Sequence, residues 1–120
     1  IYCNIYTNNF SRILKQTLIY KIKKSKSIIY APFVIKIKNI FLMFYSSWKD
    51  NFFGNIEILE SKDLMTWQKS KYILPSFKKK IKIISEPCVL KYKNYFLLFF
   101  EIKLKNYWNI GYAIINKFNI

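Results

Sequence analysis

The chain repeats itself. Ala31-Pro32-Phe33-Val34-Ile35-Lys36-Ile37-Lys38-Asn39-Ile40-Phe41-Leu42-Met43-Phe44 aligns without gaps on Glu86-Pro87-Cys88-Val89-Leu90-Lys91-Tyr92-Lys93-Asn94-Tyr95-Phe96-Leu97-Leu98-Phe99, at an offset of 55 residues (87−32). Pro, Val, both Lys, Asn, Phe, Leu and the final Phe are identical. A second frame is spaced by 54: Phe10, Leu64 and Phe118 (64−10 and 118−64) each close a similar segment, Ile5 to Phe10, Leu59 to Leu64 and Ala113 to Phe118. Such periodicity constrains the fold before any single residue does, because a unit of this length cannot bury its own apolar face and must stack on a neighbour.

A repeat of about this length, built of short strands, predicts the blade of a β-propeller. In the middle repeat Tyr30 to Lys36 reads as a first strand, opened by Ala31-Pro32 where no ladder donor is lost. Lys38-Asn39 makes a tight turn, and Ile40 to Ser47 is a second strand, almost wholly apolar and so buried on both faces. After a loop from Trp48 to Asn55, a third strand runs to Glu60 with Glu57 and Glu60 toward solvent. Ser61-Lys62-Asp63-Leu64 turns the chain, and Trp67 to Leu74 forms an outer fourth strand. The flanking repeats are partial: Lys15 falls on Lys69, Ile19 on Ile73, and Asn109-Ile110 on Asn55-Ile56. The expected fold is therefore all-β, a propeller fragment of roughly two four-stranded antiparallel blades. Residues 1–24 end one blade, 25–80 complete the next and 81–120 supply most of a third, as expected for a piece of a longer protein or a truncated reading frame.

Composition agrees. Aromatic residues reach 20 %, Gly is 2 and Pro 3, which argues for a packed β-rich fold and against disorder. No apolar run is longer than Tyr95 to Phe100, which is too short to span a bilayer as a helix. Net charge is +15, from 21 Lys and Arg against 6 Asp and Glu. The cations are spread along the sequence apart from Lys78-Lys79-Lys80, expected in a loop, and Arg12 is the lone guanidinium. That distribution reads as a solvated surface with weak, salt-sensitive affinity for polyanions rather than specific nucleic-acid recognition. Cys3 and Cys88 make no disulfide framework, and Cys88 is expected as a small core residue. With His at 0, imidazole chemistry is excluded and no metal or cofactor is expected, so catalysis would have to run on carboxylates, Tyr, Lys or Cys.

At these residues the sequence resembles the five-bladed β-propeller glycosidases, the group holding glycoside hydrolase families forty-three, thirty-two and sixty-two and the β-mannoside phosphorylases. Their blades read Ala-Pro-x-Val, then a Tyr- and Phe-rich strand ending in Ser, then Ile-x-x-Ala-x-Ser-x-Asp-Leu-x-x-Trp. Here these are Ala31 to Val34, Phe41 to Ser46, and Ile56 through Ser61-Lys62-Asp63-Leu64-Met65-Thr66-Trp67; the next repeat gives Glu86 to Val89, Tyr95 to Phe100 and Ile110-Gly111-Tyr112-Ala113. The resemblance implies a carbohydrate-active propeller, with catalytic carboxylates at the starts of innermost strands acting as general acid and general base. It also implies that the remaining blades, or a partner chain, close the ring.

Carried over residue by residue, this makes Glu86 the expected general acid or pit carboxylate; the alternative is a solvated carboxylate at a strand start. The preceding blade departs from the pattern, with Phe33 where many relatives have Asp and Ala31 at the position matching Glu86. Glu101, matching Ser46, is a second pit candidate, while Asp50 is either a substrate contact or a solvated turn residue. Trp48 and Trp108, near the loops between second and third strands, are candidate sugar-stacking platforms, though aromatics in so aromatic a sequence also serve packing. Asp63 is expected to bond turn amides, and Trp67 to pack within the blade. The expected function is thus a fragment of a glycoside hydrolase-like propeller, inactive alone. The alternative is a non-catalytic glycan- or partner-binding propeller associated with polysaccharide metabolism.

Overall fold

The computed structural model describes residues 2–6, 13–18, 27–49, 53–72, 74, 81 and 83–115, all of them strands, turns and short connections. β1 (Tyr2–Tyr6) and β2 (Ile13–Leu18) form an antiparallel pair of their own. A second, open sheet holds β3 (Ser27–Ile37), β4 (Ile40–Lys49), β5 (Phe53–Ser61), β7 (Ile83–Tyr92), β8 (Tyr95–Leu104) and β9 (Tyr107–Ile115), in that order, with the two-residue β6 (Gln68–Lys69) pairing β5. All neighbours are antiparallel except β5 and β7, which meet in parallel at Gly54 and Ile83. The protein is an all-β propeller fragment: a four-stranded unit, β3 to β6, beside a three-stranded one, β7 to β9.

The register explains the two offsets. Phe44 pairs with Ile58 and Phe99 with Tyr112; Met43 pairs with Leu59 and Leu98 with Ala113. The first two strands of each unit are thus related by 55 residues and the third by 54, because the β8–β9 turn is one residue shorter than the β4–β5 connection. In β1 and β2, Ile5 pairs with Lys15 as Leu59 does with Lys69. The turns repeat too. Lys38, Lys93 and Lys105, each followed by Asn, adopt φ of 52°, 51° and 53° at the first turn position, the mirror-type geometry that matches strand twist.

Alternation then sorts the side chains. One face of the first unit carries Leu42, Phe44, Ile56 and Ile58, and the facing side of the second carries Val89, Leu98 and Phe100; together they form the main core. Partly buried Phe33, Ile35, Phe96 and Ala113 flank it. The first unit's other face buries Met43, Tyr45 and Leu59, with Ile29 and Trp67 packed against them, so Trp67 sits within the blade as expected.

Several expectations need correction. Cys88 is exposed, not a core residue, because it lies on the side of β7 turned away from the first unit. The expected loop from Trp48 to Asn55 is narrower: β4 runs to Lys49 and β5 starts at Phe53, so Trp48 is a strand residue, as is Trp108 in β9. The outer strand shrinks from Trp67–Leu74 to Gln68–Lys69. Glu57 and Glu60 are half-buried rather than solvated, and both accept side-chain hydrogen bonds. The Lys78-Lys79-Lys80 run lies outside the described residues.

Candidate functional site

Each unit's first strand breaks its ladder at the same place. Register shifts between Tyr30 and Phe33 in β3, and between Ser85 and Cys88 in β7, so Ala31-Pro32 and Glu86-Pro87 each insert one extra residue. Ala31 has φ of 49° and Glu86 of 51°, a left-handed conformation that favours glycine at the first position of such a bulge. Proline suits the second position, since it has no N–H to lose from the ladder. The Pro shared by the two repeats therefore marks a bulge that re-aims the residue before it. A non-glycine residue in this region costs about 1 kcal/mol or more.

In the second unit the residue so placed is Glu86. Its side chain is exposed, and among the described residues no group hydrogen-bonds its carboxylate. Its backbone is held from across the seam: the Glu86 N–H donates to Ser46 Oγ at 2.8 Å, and Ser46 is fully buried. Ser46 stands on β4 opposite Tyr30, two residues before Trp48. Ser85, immediately before Glu86, is also fully buried, but among the described residues its Oγ has no hydrogen-bond partner. Glu101 stands opposite Ser85 on β8 and is half-buried. The structure thus brings Glu86 and Glu101 to one end of the second unit, around the bulge, with Ser46 of the first unit bonded to the Glu86 backbone.

The two tryptophans occupy one rung of the repeat on opposite strands. Trp48 pairs with Gly54 in the first unit, and Lys103 with Trp108 in the second. Trp48 meets Tyr30 edge to face at 5.8 Å between ring centroids, and its indole lies where a side chain at position 54 would stand: a Cβ on Gly54 would come within 2.9 Å of Trp48 Nε1. That Nε1–H is buried and has no hydrogen-bond partner among the described residues. Trp108 is half-exposed, and Lys103 Nζ lies 5.5 Å from its ring centroid, a cation–π contact. Asp50 lies outside the described residues.

Asp63 belongs to a turn rather than to this site. Its Oδ1 accepts the backbone N–H groups of Thr66 at 2.7 Å and Met65 at 2.8 Å, and the Ser61 hydroxyl at 3.0 Å. These bonds, from Thr66 and then Met65, draw its pKa down from 3.8 to about 2. Ser61 Oγ in turn accepts the N–H of Leu64, holding that residue at φ of 66°, and Leu64 O accepts Trp67 Nε1–H at 2.8 Å. The Ser-Lys-Asp-Leu-Met-Thr-Trp motif is a self-satisfied turn, as the sequence predicts.

Sequence reasoning missed both buried serines. Ser46 was legible only as the last residue of an aromatic strand, and the replacement of that Ser by Glu101 one repeat later is the signal that the position faces a polar site. Among the described residues, no three His, Cys, Asp or Glu side chains gather to hold a metal ion.

Solved structures that share this fold include the following two. One, a glycoside hydrolase, superposes with a TM-score of 0.68 at 18% identity, over 82% of this chain and 30% of its own. The other, a complex of BT0996 and RGII, superposes with a TM-score of 0.67 at 17% identity, over 80% of this chain and 29% of its own. The chain thus spans about 30% of the length of the structures it matches. No protein-family model and no curated protein matches it.

Proposed function

We propose that this chain is part of a carbohydrate-active five-bladed propeller of the glycoside hydrolase type, in which Glu86 presents a carboxylate to the central pit as general acid. Residues 1–24 would then end a preceding blade, 25–80 complete one and 81–120 supply most of the next. The observation that carries this reading is the bulge at Glu86. A left-handed, strained residue is held by a buried hydroxyl 40 positions away in sequence, while its own side chain is exposed and, among the described residues, unbonded. Strain of that kind, supported from outside, concentrates where a side chain must point somewhere in particular. Fold neighbours that include a glycoside hydrolase, and a protein solved with RGII, a carbohydrate, agree with it.

Glycoside hydrolysis needs two carboxyl groups, one protonating the leaving oxygen and one serving as base or nucleophile. Ala31 leaves the equivalent bulge of the first unit without one. Glu101 is the remaining pit candidate among these residues and the general base is expected from another unit, so the 120 residues alone are expected to show no turnover on any glycan. In the longer protein read from the flanking DNA, Glu86→Gln should lower kcat by roughly 10²–10⁴ on substrates with poor leaving groups. It should matter much less with an activated aryl leaving group. Turnover by the 120 residues, or an unchanged Glu86→Gln enzyme, would overturn the assignment.

A second reading, a non-catalytic glycan-binding propeller, is favoured by Ala31 and Phe33, which leave the first inner strand without an acid. Glycan binding that survives Glu86→Gln but is lost in Trp48→Ala, with no hydrolysis of the ligand, would select it.

A further inference from the structure

The lysines are spread along the sequence, but the fold gathers many of them. β3, β5 and β7 run the same way, because β4 lies antiparallel between β3 and β5 and β5 meets β7 in parallel. Their last residues, Ile37, Ser61 and Tyr92, therefore finish at one end of the sheet, opposite the end that holds Glu101 and the Lys105 turn. Lys36, Lys38, Lys62, Lys91 and Lys93 all stand at that first end, and all are exposed. Two carboxylates share it. Glu60 accepts from Gln68 and Ser70, and Asp63 from the amides of its own turn, so both are committed to neutral donors. The lysines outnumber them, which leaves this end with a surplus of positive charge. The other end is closer to balance, with Lys49, Lys103 and Lys105 against Glu86 and Glu101.

The two hairpin tips at the cationic end differ in one respect. Lys36-Ile37-Lys38-Asn39-Ile40 of the first unit becomes Lys91-Tyr92-Lys93-Asn94-Tyr95 in the second: the lysines and the Asn stay, and both isoleucines become tyrosines. Ile37 and Ile40 are half-buried and pack against the main core. Tyr92 instead is 45% exposed, its ring centroid 5.4 Å from that of Tyr95 at 57° between planes. Lys93 Nζ lies 5.4 Å from the Tyr92 ring centroid. Closing the turn does not require these rings, since the first unit closes the same turn with isoleucine. An exposed aromatic pair flanked by ammonium groups matches the two features of an acidic sugar, an apolar C–H face and a carboxylate.

We propose that this end of the two units is a binding site for a carboxylate-bearing polysaccharide. Tyr92 and Tyr95 form the platform for a sugar ring, Lys91 and Lys93 take its carboxylates, and the lysines of the first unit extend the track. The site stands at the opposite end from Glu101, so it holds the polymer and takes no part in cutting it. Nucleic acid fits less well, because none of these turns carries an arginine, the side chain best suited to phosphate forks and guanine edges. The choice of a glycan rests on the reading of the chain as part of a carbohydrate-active propeller; the charge and the tyrosines stand without it.

The probe is polygalacturonate, with binding to the 120-residue protein followed by isothermal titration calorimetry. Salt of about 150 mM screens loose charge pairing. Lys91→Gln with Lys93→Gln should weaken binding about tenfold. Lys69→Gln with Lys71→Gln removes the same charge from the first unit's outer edge and should change it less than about twofold. Tyr92→Ile with Tyr95→Ile installs the first unit's residues at unchanged charge and should also weaken binding about tenfold. Carboxyl-reduced polymer should bind about tenfold more weakly than the native one, or less. Equal losses from the two lysine pairs would reduce the interaction to net charge and overturn the proposal. Equal affinity for the carboxyl-reduced polymer, or no binding of polygalacturonate, would overturn it as well. Single-stranded DNA that binds as tightly, with the same dependence on Tyr92 and Tyr95, would overturn it and give this end to nucleic acid. A longer protein that hydrolyses glycans through Glu86 but fails these tests would sink this site alone. Binding here without hydrolysis by that longer protein would sink the catalytic reading alone.

Discussion

Ser46 and Ser85 are both fully buried, on either side of the seam, yet among the described residues Ser46 has a partner for its hydroxyl and Ser85 has none. Removing an acceptor strands the buried group that used it, whereas removing an unpartnered hydroxyl relieves a desolvation cost already incurred. Ser46→Ala should therefore cost about 1–2 kcal/mol of stability, and Ser85→Ala should be neutral or slightly stabilising. Urea midpoints of the two variants decide the point, and equal losses would show that Ser85 is bonded. Asp63 is the other residue with a defined energetic role. Its folded pKa of about 2 lies below the ordinary 3.8, so its contribution is complete above the unfolded value and is lost as pH falls through the folded one. The melting-temperature difference between the native protein and Asp63→Ala should hold steady down to about pH 4 and narrow between about pH 4 and 2.

At the scale of elements, equivalent rungs solve the same packing problem with different residues. Tyr45 faces Glu57 across the ladder and donates its hydroxyl to Oε2 at 2.7 Å. The counterpart rung pairs Phe100 with Gly111, and a Cβ there would come within 2.6 Å of the Phe100 ring. Losing the phenol hydroxyl and losing the carboxylate go together, because either alone would leave a polar group unpaired in the sheet. The faces differ more than the rungs do. Ile58→Lys would force a charge into the closed seam and should cost about 3 kcal/mol or more. Tyr112→Lys, at the equivalent position of the open face, should change stability by less than about 0.5 kcal/mol. Thermal melts of both, with sedimentation to follow self-association, provide the check; similar losses would mean that the second unit's far face is already covered.

For the whole molecule, one core spans both units, so neither has a hydrophobic centre of its own on that side. Units that bury their faces only against each other unfold together when the interface term is large. A single urea transition reported alike by Trp fluorescence and by β-sheet circular dichroism is expected. Gly54 lies at the point where β5 and β7 meet, and a Cβ there would stand 2.9 Å from Ile83 Cγ2 as well as from Trp48 Nε1. Gly54→Ala should lower stability by about 1–3 kcal/mol through overpacking of that seam. A loss confined to one of two separated transitions would show that the units fold apart.

Much of this was legible in the residues. Repeat length, strand order and the Lys-Asn turns follow from local rules: side-chain alternation with a period of two, turn residues between apolar runs, and a capping Ser-x-Asp-Leu motif that closes its own hydrogen bonds. The Ala-Pro and Glu-Pro steps read as strand starts in the sequence, but the strands begin earlier, at Ser27 and Ile83, and both steps are left-handed bulges inside them, which depends on two strands failing to stay in register. Exposure was not legible at all where the repeats agree. Phe33 and Cys88, or Ile58 and Tyr112, are equivalent by position in the repeat, and the stacking of one unit on the other makes Ile58 core and Phe33 partly buried against it while Cys88 and Tyr112 are exposed. Alternation says which side chains share a face, a property of one strand. Whether that face is covered is a property of what lies against it, and tertiary structure alone decides it.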